Sequence, residues 1–152
     1  MRLVNLMAEL IEEECTGCSI CVKVCPTLAI EMTTNRKPDG PKKLPEISVD
    51  DCVGCWACEQ RCPFGALRMV RHPAPHTIGV SVDDVDYEEV IELCEKAHLH
   101  PEQVVCFCTV TRAEEVAAAI LKGCRTPEQL SARTGIRTGC KVECAQPLLR
   151  LL

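Results

Sequence analysis

One cysteine pattern occurs twice in this chain and restricts its possible folds more than any other feature. The two runs are Cys15–Pro26 and Cys52–Pro63, and both read C-x-G-C-x-x-C-x-x-x-C-P. The second run begins 37 residues after the first, and the residues flanking each run keep the same offset. This self-similarity indicates an internally duplicated fold, built around two sets of four thiols.

Metal binding explains these cysteines better than disulfide bonds do. The 152 residues include 14 Cys but only 3% aromatic residues, so we expect small domains that need metal or disulfide staples. Disulfides require an oxidising compartment and usually an export signal. Asn5 and Glu9 interrupt the N-terminal apolar stretch, which therefore does not read as such a signal.

No segment approaches the roughly 18 uncharged apolar residues that span a bilayer. We therefore expect a cytoplasmic protein with reduced, metal-bound thiols and no membrane span.

The repeated run resembles that of bacterial two-cluster ferredoxins, over about residues 7–70. The resemblance implies short strands around two [4Fe-4S] clusters, with the fourth cysteine of each run binding the other run's cluster. The expected ligands of the first cluster are Cys15, Cys18, Cys21 and Cys62. Those of the second are Cys52, Cys55, Cys58 and Cys25. Zinc is the alternative for repeated C-x-x-C units, although a terminal Cys-Pro is unusual in zinc sites.

Four residues beside these cysteines have an expected role. Gly17 and Gly54 allow backbone conformations closed to other residues, which lets N–H groups approach the sulfurs. Trp56 and Phe64 are expected beside the second site, where they either shield it from water or form a small core.

Short apolar stretches predict four strands, with a helical turn after each Cys-Pro. The strands are expected at Ala8–Ile11, Ile30–Met32, Ile47–Val49 and Leu67–Val70. The turn-rich segment Thr33–Pro45 between them predicts a hairpin whose basic tip is either solvated or in contact with an acidic partner. The tip residues are Arg36, Lys37, Lys42 and Lys43. Two prolines in Arg71–His76 predict a linker without regular structure, and Thr77–Val82 a further short strand.

The rest of the chain has a helical pattern. A connector helix is expected over Asp84–Leu99, capped by Asp83 or Asp84 and ended by Pro101. Capping boxes are expected at Thr111–Glu114 and Thr126–Gln129, and a last helix within Cys140–Leu152. The predicted fold is α+β: a ferredoxin-like domain at 1–70, a linker and connector helix at 71–100, and an all-helical domain at 101–152.

A second cysteine pattern lies in this helical part. Cys106 and Cys108 form a C-x-C pair, and Cys140 and Cys144 follow after 31 intervening residues. About residues 101–152 resemble the [2Fe-2S] domain of bacterioferritin-associated ferredoxin, a module also found in nitrite reductases and flavin-dependent dehydrogenases. The resemblance implies that these four cysteines bind one [2Fe-2S] cluster. Zinc bound by the same thiolates is the alternative.

The remaining cysteines and the histidines carry no assigned role. We expect Cys94 and Cys124 to be small buried hydrophobic residues. We expect the four histidines, His72, His76, His98 and His100, to lie at the surface.

The chain has no G-x-G-x-x-G motif, no P-loop and no nucleophile paired with a base, so we expect it to have no catalytic site of its own. Its formal charge of −5 would become roughly −11 with three clusters, since each oxidised cluster adds about −2. This favours a protein redox partner with a basic surface and argues against nucleic acid.

We therefore expect an electron-transfer subunit, and the [2Fe-2S] resemblance points to a flavoprotein dehydrogenase or oxidoreductase as its partner. A freely diffusing ferredoxin and a redox-sensing or iron-handling regulator are the alternatives.

Overall fold

The computed structural model describes residues 1–152, and its contacts divide the chain into two compact units. One unit is Val4–His76, and the other joins Met1–Leu3 to Thr77–Leu152. Six α-helices and three two-stranded sheets make the chain α+β. This grouping by contacts does not test the predicted domain boundaries at residues 70 and 100, which stay predictions. None of the helices is long and apolar enough to cross a membrane.

The unit Val4–His76 contains two pairs of strands and two very short helices. Its elements are β1 (Arg2–Leu10), a 3-10 turn (Glu12–Glu14), α1 (Ile20–Val24), β2 (Ile30–Thr34), β3 (Lys43–Ile47), α2 (Ala57–Arg61) and β4 (Leu67–Ile78). Strand β1 pairs with β4, and β2 forms an antiparallel hairpin with β3. All four basic residues predicted at the hairpin tip are exposed.

The two repeats have the same backbone conformation, including where their helices lie. Helices α1 and α2 follow residues with left-handed backbones, Ser19 (φ 63°) and Trp56 (φ 65°), which are 37 positions apart. They end at Cys25 and Cys62, whose backbones are extended because a following proline disfavours the helical conformation. The prediction of a helical turn after each Cys-Pro is therefore wrong, since both helices come before it.

Strand β4 runs through the segment predicted to be a linker. Proline is accepted in an edge strand when its missing N–H faces away from the partner. A two-stranded sheet has only edge strands, and the exposed Pro73 and Pro75 lie at alternate positions of β4. The linker prediction for Arg71–His76 is therefore wrong. Of the strand predicted over Thr77–Val82, only the first two residues belong to β4.

His72 is buried, contrary to the prediction that all four histidines lie at the surface. Its side chain is 5% exposed, and its Nε2 lies 2.9 Å from the carbonyl oxygen of Val49. Its Nδ1 accepts a hydrogen bond from the backbone N–H of Ala74. These contacts on both ring nitrogens allow a histidine to replace an apolar side chain here.

The interior of Val4–His76 consists largely of thiol groups. Its buried cluster has seven members: Ala8, Cys21, Ala29, Ile30, Cys52, Cys58 and Leu67. Three of the seven are cysteines, and two others are alanines. Such a core removes little apolar surface from water, so the stability of this unit depends on what the thiols bind.

The unit containing Thr77–Leu152 is mainly helical. Its elements are α3 (Tyr87–Lys96), β5 (Val104–Cys106), β6 (Thr111–Arg112), α4 (Ala113–Leu121), α5 (Pro127–Thr134) and α6 (Ala145–Leu151). Strands β5 and β6 pair antiparallel, so the prediction of an all-helical C-terminal domain holds only in part.

The helix caps explain how the helices differ from their predicted boundaries. Helix α3 is capped by Asp86, rather than Asp83 or Asp84, and it ends at Lys96 before reaching Pro101. Helix α4 begins one residue later than predicted because Thr111 belongs to β6, and Glu115 accepts a hydrogen bond from the N–H of Arg112. Helix α5 matches the prediction, since Thr126 caps it and Gly135 (φ 78°) ends it.

Helix α4 lies at the centre of an apolar core. Its residues Val116–Ala119 are buried, together with Val90 of α3 and Leu148 of α6. Cys94 is fully buried and Cys124 is 8% exposed, which confirms their prediction as buried residues. Burial raises the pKa of both thiols. This unit therefore has a larger apolar core than Val4–His76.

Replacing Thr126 with Ala should destabilise the C-terminal unit by about 1 kcal/mol. The Thr126 hydroxyl accepts a hydrogen bond from Gln129 N at 3.2 Å, and alanine would leave that donor without its cap. Urea unfolding followed by far-UV circular dichroism would measure the loss. Thr126→Ser keeps the hydroxyl and serves as the control, so equal destabilisation by both variants would contradict the cap assignment.

Candidate metal centres

Four cysteines from both runs line one apolar cavity in Val4–His76. They are Cys15, Cys18, Cys21 and Cys62. The volume of this cavity is about 20 Å³. Helix α1 positions Cys21 from within, whereas Cys62 comes from the end of helix α2 in the other repeat.

The other four cysteines line a second small cavity, of about 10 Å³. They are Cys25, Cys52, Cys55 and Cys58. Each cavity thus contains three cysteines of one run and the last cysteine of the other. These are the two groups that the sequence predicts as ligand sets. Their role as ligands stays a prediction.

Gly17 and Gly54 hold the cysteine loops tightly against neighbouring strands. Both have positive φ angles, 73° and 59°. A Cβ added at Gly17 would lie 2.8 Å from the carbonyl oxygen of Lys43, and one at Gly54 would lie 2.5 Å from that of Leu6. Real Cβ atoms do not approach so closely, so any other residue would push the loop away from the strand.

Backbone N–H groups reach the sulfurs of both sets. The N–H of Ala8 donates to Cys52 Sγ at 3.5 Å, and that of Ala66 donates to Cys62 Sγ at 3.3 Å. Donors of this kind stabilise negative charge on sulfur, as required of a site that binds thiolates.

The burial of these thiols calls for a compensating positive charge. Burial, with a contribution from the nearby Cys55 and Cys52 thiols, raises the pKa of Cys58 to about 12. Burial likewise raises the pKa of Cys21. A set of four thiols that includes such a buried group loses all its protons together only when a cation stabilises the thiolates. The donor set therefore fits the iron ions of a cluster.

The C-terminal cysteines meet as two pairs, one buried and one exposed. Cys106, at the end of β5, contacts Cys144, which precedes α6, and both are buried. Cys108 and Cys140 are exposed, and the N–H of Cys140 donates to Cys108 Sγ at 3.4 Å. The structure thus brings residues 32 positions or more apart in the chain into contact.

The two pairs differ in their electrostatics. Burial, followed by the nearby Cys106 thiol, raises the pKa of Cys144. At the exposed pair, the backbone N–H groups of Val142 and Glu143 lower the pKa of Cys140. This donor set fits a cluster with one side in the helical core and the other at the surface.

Gly139 is a site residue whose role the sequence reasoning missed. A Cβ at this position would lie 2.5 Å from Cys108 Cβ and 2.8 Å from Cys108 Sγ. The sequence signal was the Gly-Cys step at Cys140, but only the tertiary contact with Cys108 explains it.

Phe64 lies beside the first site, contrary to the prediction that it lies beside the second. Phe64 lines the cavity of the first set, because it follows Cys62, which belongs to that set. Both aromatic side chains are nearly half exposed, so neither forms a core.

The chain contains no group of three or more His, Cys, Asp or Glu side chains placed to hold a single metal ion.

Comparison with protein families identifies both regions. Residues 14–66 match the model of the 4Fe-4S dicluster domain, and residues 104–152 match that of the BFD-like [2Fe-2S] binding domain. These two matches confirm the resemblances drawn from the cysteine spacing. A search of curated proteins found no match to the chain.

Gly54→Ala should destabilise the Val4–His76 unit much more than Gly65→Ala does. Both glycines have positive φ, which costs an alanine about 1 kcal/mol. Only at Gly54 does the new Cβ also meet a backbone oxygen, whereas at Gly65 nothing lies within 4 Å. Thermal unfolding and iron content per chain would measure the difference. Equal losses in the two variants would show that the close approach to Leu6 is unimportant.

Proposed function

We propose that this chain, which joins a 4Fe-4S dicluster domain to a BFD-like [2Fe-2S] binding domain, is a three-cluster electron-transfer subunit of a flavin-dependent oxidoreductase. Iron–sulfur domains imply electron transfer. The finer proposal is that the chain binds two [4Fe-4S] clusters and one [2Fe-2S] cluster, and that a flavoprotein is its redox partner.

The observation that carries the proposal is the presence of two cavities, each lined by four cysteines. A cubane needs four thiolates around one small volume, and each cavity supplies four sulfurs. We assign Cys15, Cys18, Cys21 and Cys62 to the first cluster. We assign Cys52, Cys55, Cys58 and Cys25 to the second.

The two C-terminal cysteine pairs support a third cluster. We assign Cys106, Cys108, Cys140 and Cys144 to a [2Fe-2S] cluster. The buried pair would anchor it in the unit, and the exposed pair would place one side within reach of a partner.

A flavoprotein partner fits the chemistry of one-electron carriers. A dihydroflavin gives up two electrons and its protons to become the oxidised flavin, and the chain's clusters would accept the electrons singly. The chain's net negative charge favours a partner with a basic docking surface. A cytoplasmic location fits so many reduced thiols.

One observation favours a second candidate, a redox or iron sensor. Cys108 and Cys140 are exposed, so a cluster bound there would be open to solvent and to oxidants. A sensor would lose its [2Fe-2S] cluster reversibly and change its binding when it does.

Native mass spectrometry of the untagged protein, purified anaerobically from its own host, tests the proposal. A mass excess of two cubanes and one [2Fe-2S] cluster, within a complex that includes a flavoprotein, is the expected result. The same excess on a lone chain would favour a freely diffusing ferredoxin. Two cubanes with a single zinc would overturn the assignment of the C-terminal cluster.

Cys106→Ser should remove the [2Fe-2S] electron paramagnetic resonance signal and leave the cubane signals intact. Cys18→Ser should damage the signal of the first cubane and leave the [2Fe-2S] signal intact, since it removes a thiolate from the first cavity only. Cys124→Ala is the matched control in the C-terminal unit, because this buried cysteine is outside the assigned set. A [2Fe-2S] signal that survives Cys106→Ser, or disappears with Cys124→Ala, would contradict the ligand assignment.

A further inference from the structure

The two cysteine loops pack against strands in equivalent ways. Gly17 meets the carbonyl oxygen of Lys43 in β3, and Gly54 meets that of Leu6 in β1. Both the glycines and the strand residues are 37 positions apart. The internal repeat therefore relates β1, beside the second cysteine set, to β3, beside the first.

This relation reveals a difference between the two sites. In β1, the buried N–H of Ala8 donates to Cys52 Sγ at 3.5 Å. The residue equivalent to Ala8 is Pro45, 37 positions later, and the cysteine equivalent to Cys52 is Cys15. Pro45 is buried and lines the cavity that contains Cys15. Because proline has no N–H, Cys15 lacks the hydrogen bond that Cys52 receives.

The strand pairing accommodates this proline. Pro45 lies in the middle of β3, opposite Met32 of β2, and β2 is the only partner strand of β3. A proline persists in a strand where its nitrogen faces away from the partner. That side of β3 faces the cysteine cavity, so proline removes a donor to sulfur at no cost to the hairpin.

The two sites share several other backbone donors, although some of their side chains differ. The Thr27 hydroxyl lies 3.6 Å from Cys25 Sγ and donates to the carbonyl oxygen of Asp51, whereas the equivalent residue, Phe64, has no hydroxyl. The N–H of Val22 supports Cys21, and the equivalent N–H of Glu59 supports Cys58. Acidic residues precede both runs, at Glu12–Glu14 and Asp50–Asp51. The N–H of Ala66 donates to Cys62, and the equivalent residue, Ala29, also has an N–H. Pro45 is therefore a position at which the sequence itself removes a backbone N–H donor from one site.

We propose that Pro45 lowers the reduction potential of the cluster held by Cys15, Cys18, Cys21 and Cys62 relative to that of the other cubane. Reduction adds negative charge to a cluster, and N–H donors to its sulfurs stabilise that charge. The loss of the donor that an N–H at position 45 would supply makes the first cluster harder to reduce. This inference rests on the proposed function and deepens it. An electron shared between the two cubanes would reside mainly on the second one, which has the higher potential.

Pro45→Ala and Pro45→Val test the proposal in the intact, cluster-loaded chain. Both variants restore the N–H at position 45. Valine also nearly restores the side-chain volume, so a potential change seen in both variants comes from the hydrogen bond and not from water entering the cavity. The midpoint potential of each cubane would be measured by potentiometry, with the cysteine β-protons followed by paramagnetic NMR to distinguish the clusters. Pro75→Ala, in exposed strand β4, is the matched control, because it adds an N–H away from either cavity.

Both Pro45 variants should raise the midpoint potential of the first cluster and leave the second unchanged, and Pro75→Ala should move neither. The proposal would be overturned if neither variant changed the midpoint potential of the first cluster, or if only Pro45→Ala changed it. It would also be overturned if the potentials of both clusters changed equally. Wild-type protein without two cubane signals would overturn the proposed function as well, so the two failures are distinguishable.

Discussion

The exchange of one cysteine between the two repeats is the constraint on which the Val4–His76 unit depends. Cys25 and Cys62 each end a helix in one repeat and line the cavity of the other. Neither repeat can complete a set of four thiols alone, so both must fold together. The short helices α1 and α2, five residues each, would be marginal in isolation and are held by this shared arrangement.

The two small units differ in what fills their interiors. Val4–His76 has a thin core in which buried cysteines occupy positions that apolar side chains fill elsewhere. The C-terminal unit instead packs Val116, Leu130 and Leu148 around a central helix. We therefore expect the folding of the first unit to be coupled to metal binding. The second unit has an apolar core formed mainly by residues other than its four site cysteines.

The grouping of the cysteines could be predicted from sequence because their spacing and offset repeat without interruption. The helix ends with strong local signals, such as Thr126 and Gly135, were also predictable. The errors arose where tertiary pairing decides the outcome. The burial of His72 and the passage of β4 through Pro73 depend on which groups face a partner strand. The helix before each Cys-Pro was also missed: the predicted helical turn was placed after the proline, whereas here the proline follows the end of the helix.

The direction in which a backbone N–H faces also makes the two duplicated cysteine sites different. Duplication preserves the geometry of the cysteines, the glycines and the strands, which is why the 37-residue offset describes the backbone so well. It does not preserve every donor, since Ala8 and Pro45 both lie in strands but only Ala8 has an N–H. A proline that faced β2 would cost a hydrogen bond of the hairpin. Facing the cavity, the proline leaves the hairpin intact and removes a donor beside Cys15, so a single residue can change the electrostatics of one of two duplicated sites.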